Sequence, residues 1–75
     1  MRIVTISIEK REKEVPHVQA VLTKYGEEIH SRIGYHNVEK DNRGLIVILY
    51  TGNHPDEFCE ELKEKDGVKV NCMEV

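Results

Sequence analysis

Val4, Ile6 and Ile8 alternate with Ile3, Thr5 and Ser7 at the start of the chain, a period of two that predicts a half-buried β-strand over about Arg2 to Glu9. The period then lengthens. Val15, Val18, Val21, Leu22 and Tyr25 recur at helical spacing, which gathers them on one stripe. Pro16 is expected in the first turn of that helix, after a solvated charged connection over Glu9–Glu14, and Gly26 is expected as its left-handed stop just past Tyr25. A second strand follows over about Glu28 to Val38. Strict alternation there places Ile29, Ser31, Ile33 and Tyr35 on one face and His30, Arg32, Gly34 and His36 on the other.

The polar, glycine-ended stretch Glu39–Gly44 reads as a turn, so the second strand and the run Leu45–Tyr50 form a hairpin. That third strand is apolar on both faces, the pattern of a central strand whose back is also covered, here by another subunit. Gly52-Asn53-His54-Pro55 breaks it and opens a second helix, with Asn53 or His54 as the cap, Pro55 near the first helical position and Asp56 and Glu57 at the positive helix end. Phe58, Cys59 and Leu62 face the sheet, and Lys63 and Lys65 precede Asp66-Gly67. Val68, Val70 and Cys72 then alternate with Lys69, Asn71 and Met73 in a last strand.

Strand, helix, strand, strand, helix, strand is an α+β order. It predicts one ferredoxin-like βαββαβ domain over residues 1–75, with two helices on one face of a four-stranded antiparallel sheet whose first and third strands are central. The helices are expected to cover Val4, Ile6, Ile8, Ile29, Ile33, Val68 and Val70. Thr5, Ser7, His30, Arg32, His36 and Lys69 are left on the open face with Ile3, Met73 and alternate residues of the third strand. Such a face is more apolar than a monomer usually shows, which predicts a homo-oligomer, a dimer or tetramer, paired face to face or through an edge strand.

Composition narrows the function. A chain of 75 residues and 8.7 kDa buries somewhat over ~60% of its unfolded surface, so support beyond its own core is expected. Eleven Lys and Arg against fourteen Asp and Glu give net charge −3, with four aromatics and no basic stripe, which argues against direct nucleic-acid binding. No apolar stretch approaches the ~20 residues of a membrane span. Two cysteines, Cys59 and Cys72, are too few for a disulfide framework, and with no apolar leader the expected compartment is the cytoplasm. Each cysteine is expected to serve as a small buried apolar residue.

No cluster specifies a reaction, and no cofactor is expected. The glycines stand singly, without the grouping that cradles a phosphate. His30 and His36 share a strand face, which raises a metal-responsive site as the alternative reading. Six residues of strand separate them by roughly 20 Å, so partner histidines would have to come from another strand or subunit. Gly34 within a strand signals a bulge, a close backbone approach or a ligand site. The candidate ligand or interface residues are therefore His30, Arg32, Gly34, Tyr35 and His36.

The run Leu22-Thr23-Lys24-Tyr25-Gly26-Glu27-Glu28-Ile29, followed by Ser31-Arg32-Ile33-Gly34-Tyr35, resembles the small regulators associated with iron-only hydrogenase systems. Glu9-Lys10-Arg11-Glu12 and the ending from Leu62 through Gly67-Val68-Lys69-Val70 fit as well. The resemblance covers nearly the whole chain and brings no catalytic motif. It implies an oligomeric ACT-like regulatory fold, related in shape to the ligand-sensing domain of nickel-responsive repressors. Tyr35, Asn37 and Arg43 stand where those repressors hold nickel ligands, so nickel sensing is not implied. Amino-acid-binding ACT domains have a glycine in the first strand-to-helix loop, where this chain is charged. The expectation is a non-enzymatic regulatory module that binds a small ligand at a subunit interface and acts through a protein partner.

Overall fold

The computed structural model describes residues 1–9, 11–38 and 43–75, with side chains at 1–9, 13–35 and 43–75. Lys10 and the expected turn residues Glu39–Asn42 lie outside the described residues. The elements are β1 (Arg2–Ile8), α1 (Arg11–Lys24), a short 3-10 turn (Gly26–Glu28), β2 (Ile29–Val38), β3 (Arg43–Tyr50), α2 (Pro55–Leu62) and β4 (Val68–Glu74). All strand pairs are antiparallel, in the order β2-β3-β1-β4. The expected ferredoxin-like βαββαβ fold is the one observed, with β1 and β3 central.

Three local expectations are corrected. The helix α1 begins at Arg11, so much of the charged run is helical and Pro16 lies inside the helix. Its missing N–H forgoes the bond to the Glu12 carbonyl, two positions beyond the first four N–H groups, which lack an intrahelical acceptor in any helix. Gly26 is not left-handed but opens the 3-10 turn; Gly67, at φ 86°, is the positive-φ glycine among the described residues. β3 takes in Arg43 and Gly44, which makes Gly44 a ladder residue opposite Ile8 rather than the end of a turn.

The core forms where one sheet face meets both helices. Val4, Ile6, Ile8, Ile48, Tyr50 and Val68 pack with Val18, Val21 and Leu22 of α1 and with Phe58, Cys59 and Leu62 of α2. The rings of Tyr50 and Phe58 stack at 4.8 Å, and Tyr25 meets Phe58 edge-on at 5.1 Å. Burying the Tyr50 hydroxyl demands partners. It donates to Glu28 Oε2 at 3.1 Å and accepts the His54 backbone N–H at 3.2 Å. His54 occupies the N-cap position of α2 without capping through its side chain, and its Nδ1 lies 3.1 Å from Glu57 Oε2.

Glu61 clasps the two helices together. Its carboxylate accepts from the Tyr25 hydroxyl and from Lys24 Nζ at 2.6 Å, while its carbonyl oxygen lies 2.8 Å from His17 Nε2.

The faces of β2 are not those that strict alternation predicts. The β2–β3 register shifts between Ile29 and Ser31, and again between Tyr35 and Val38. Residues opposite one another in an antiparallel pair share a face. Arg32 pairs with buried Ile48 and Gly34 with Ile46, which puts both on the helix side; Ser31, Ile33 and Tyr35 pair with Leu49, Val47 and Leu45 on the open side. A one-residue irregularity inverts every side chain beyond it. Ile33, expected beneath the helices, is 55% exposed, and Arg32, expected on the open face, donates from Nη2 to Gln19 Oε1 of α1 at 3.3 Å.

The cysteines are also not independent apolar fillers. Cys59 of α2 is buried but Cys72 of β4 is exposed, and the two are joined as a disulfide, because Cys72 shares the helix-side face with its ladder partner Val4. Among the described residues no helix is long and apolar enough to cross a membrane.

Candidate functional site

Two glycines hollow out the sheet beneath α1. Gly34 and Gly44 both stand on the helix side, opposite Ile46 and Ile8, where every other described ladder position carries a side chain toward the helices. At Gly34 a Cβ would meet nothing within 4 Å, so neither a close approach nor backbone strain requires glycine there. Its smallness leaves room. A cavity of about 210 Å³ occupies that room, lined by Ile8, Val15, Gln19, Arg32, Gly34, Tyr35, Gly44, Leu45 and Ile46.

The walls are mostly aliphatic, and Arg32 is the one charged group among the described residues that line the cavity. Its guanidinium is a planar, permanently charged fork of five donors. One of those donors is engaged by Gln19 Oε1, which holds the fork against α1 and occupies the amide oxygen. A neighbouring, more open recess of about 460 Å³ is lined by Leu22, Thr23, Gly26, Ile29, His30, Ser31 and Arg32. Arg32 thus stands between the two hollows.

Of the five residues singled out from sequence, Arg32, Gly34 and Tyr35 meet at the cavity. His30, at the register shift, is exposed in the adjoining recess. His36 belongs to β2, but its side chain lies outside the described residues. No group of three His, Cys, Asp or Glu side chains suited to a metal ion occurs among the described residues. Sequence reasoning missed Ile8, Val15, Gln19, Gly44, Leu45 and Ile46 as cavity residues. The glycines flanking the hairpin carry a usable signal, although Gly44 has the composition of a turn end and is a ladder residue instead.

The other sheet face carries Ile3, Thr5, Ser7, Leu45, Val47, Leu49, Ser31, Ile33, Tyr35, Asn71 and Met73, with Arg43 and Lys69 as charged residues near Ser7. Neither helix touches it. Tyr35 is 50% and Met73 59% exposed there. The two surfaces are connected, because Tyr35 and Leu45 line the cavity and also belong by register to the open face.

Comparison with solved structures places the fold. The uncharacterized protein TM1266 from Thermotoga maritima superposes with a TM-score of 0.87 at 28% identity, over 96% of this chain and 91% of that one. An unknown protein from Galdieria sulphuraria gives 0.70 at 13% identity, over 99% of this chain and 44% of that one. A formyltetrahydrofolate deformylase from Pseudomonas putida KT2440 gives 0.68 at 16% identity, over 99% of this chain and 28% of that one. These likenesses are compatible with an ACT-like fold. No protein-family model and no curated protein sequence matches the chain.

Proposed function

We propose that this chain is a non-enzymatic regulatory module of ACT-like fold that assembles through its open sheet face and senses a small molecule in the cavity under α1. The observation that carries the reading is the double position of Tyr35 and Leu45, which line the cavity and stand on the open face. A ligand that packs against one side of this hairpin changes the packing available on the other. Binding and assembly then become two sides of one equilibrium.

A second copy is the proposed occupant of the open face. Its described centre is aliphatic, its neutral polar members are Thr5, Ser7, Ser31 and Asn71, and its charged residues, Arg43 and Lys69, stand together beside Ser7 at one end of the sheet. Two copies related by a two-fold axis meet there without opposed like charges at the middle. The resemblance to regulators of iron-only hydrogenase systems supports the same reading, in which the module works in the cytoplasm and acts through a protein partner. A reducing compartment would hold Cys59 and Cys72 as thiols.

Filling the cavity genetically tests the coupling. Gly34→Val occupies the hollow with a residue that strands favour. The dissociation constant of the assembly, measured by sedimentation equilibrium, is expected to change at least threefold while the circular dichroism spectrum stays that of the parent. An unchanged constant would overturn the link between cavity and assembly.

A further inference from the structure

The chemistry of the cavity narrows what it can hold, and this step rests on the reading of the cavity as a ligand site. A volume of about 210 Å³ is about seven times the ~30 Å³ that a water molecule occupies in the liquid. That is small beside the ~300–1,000 Å³ of pockets for drug-sized ligands, so the group seated here is short. Ile8, Val15 and Ile46 form an aliphatic wall, and the bare backbone at Gly34 widens the floor. Against that wall stands a single charge, positive, on Arg32.

Polarity is equally one-sided. The Gln19 oxygen already accepts from Arg32, so what remains of this pair is donors: the Gln19 amide N–H groups and the rest of the guanidinium fork. Donors around an exposed cation tethered to α1 by Gln19 select an anion, and a planar fork matches the two oxygens of a carboxylate. No described residue lining the cavity is acidic. An ammonium group on the same ligand would therefore sit beside Arg32 without a counter-charge, which disfavours an amino acid relative to the corresponding simple acid.

We infer that the cavity between α1 and the β2–β3 hairpin binds a small monocarboxylate with a short aliphatic chain. Arg32 holds the carboxylate, and Ile8, Val15 and Ile46 seat the chain above Gly34.

The test is a two-dimensional amide NMR titration of the full chain with four probes of one length: valerate, valeramide, norvaline and pentylamine. Valerate is expected to shift the Gly34 and Gly44 amide signals saturably. Valeramide, norvaline and pentylamine should each bind at least tenfold more weakly, because each loses the carboxylate or adds an unmatched cation. Arg32→Met keeps an apolar stem and removes the fork; it should weaken valerate at least tenfold and abolish the preference over valeramide. Gly34→Val should erase the response to valerate and leave the rest of the spectrum folded.

Equal binding of valeramide, or undiminished valerate binding by Arg32→Met, would overturn the carboxylate assignment and leave the cavity as a ligand site. Tighter binding of norvaline or pentylamine would overturn it as well. Absence of any Gly34 or Gly44 response to valerate would remove the monocarboxylate class, whereas the sensing function itself stands or falls on how Gly34→Val changes assembly.

Discussion

Ile33 pairs with Val47 across the β2–β3 ladder on the sheet face that carries no helix, and 55% of its surface is exposed. An aliphatic pair in that position gives the monomer little, because little of it leaves water. Ile33→Lys is therefore expected to change monomer stability by no more than about 0.5 kcal/mol. In the proposed assembly the same lysine would be buried against an apolar partner face, so the dissociation constant should rise at least tenfold. Sedimentation equilibrium reads the constant and urea unfolding reads the stability. A variant that assembles as tightly as its parent would remove this face from the interface.

Gly52, in the bend after β3, and Gly34, within β2, should respond in opposite ways to the same substitution. At Gly52 a Cβ would fall 2.6 Å from the Tyr50 hydroxyl and 2.6 Å from the Glu28 carboxylate. Tyr50 is fully buried between Phe58 and its hydrogen-bond partners and cannot yield. Gly52→Ala should therefore cost about 1–3 kcal/mol, the usual range for overpacking. Gly34→Ala meets nothing within 4 Å and should be neutral or slightly stabilising. Urea midpoints of the two variants check the contrast, and equal midpoints would contradict it.

Much of this was legible in the sequence because hydrophobic period is a local signal. The alternation in β1 and β4, the stripe Val18-Val21-Leu22 and the Pro55 helix start all lead to the observed elements. The face of β2 was not legible. Its reversal arises from register shifts flanking Ser31–Tyr35, and a shift is set by how the strand docks on β3 and the helices, not by the strand's own residues. Arg32, Gly34 and Tyr35 were found from sequence, yet all three were assigned to the wrong side of β2. Gln19 was invisible because nothing local tells a polar helix residue that an arginine from another element will reach it. The cysteine pair needed the same long-range knowledge.

The clasp between α1 and α2 sets a pH window. The Lys24 hydrogen bond, then that of Tyr25, holds the Glu61 carboxyl below its ordinary value of 4.5. Hydrogen bonding to Glu61 pushes the Tyr25 hydroxyl from 10.0 up to about 12. A depressed carboxyl contributes stability that is present above the ordinary value and lost as pH falls through the lower one. A raised phenol contributes stability that is full below 10.0 and lost as pH climbs toward about 12. Thermal melts of Tyr25→Phe should accordingly show a shallower fall between these alkaline limits than those of the parent. Identical slopes would show that Tyr25 is not held by Glu61.

The Cys59–Cys72 bond ties α2 to the edge strand β4. Closing a loop of this length stabilises by up to ~3 kcal/mol in the chain-entropy account. Oxidised protein should show no titratable thiol even when unfolded, and reduction should lower its urea stability by about 2–3 kcal/mol. Two thiols in the unfolded, air-oxidised chain would contradict the pairing.

Sedimentation velocity of the wild-type chain over a hundredfold range of concentration is the most direct measurement of the account as a whole. A particle of twice or four times 8.7 kDa that dissociates on dilution is the result expected of a module built to pair through its helix-free face. A single 8.7 kDa species at every concentration would contradict it.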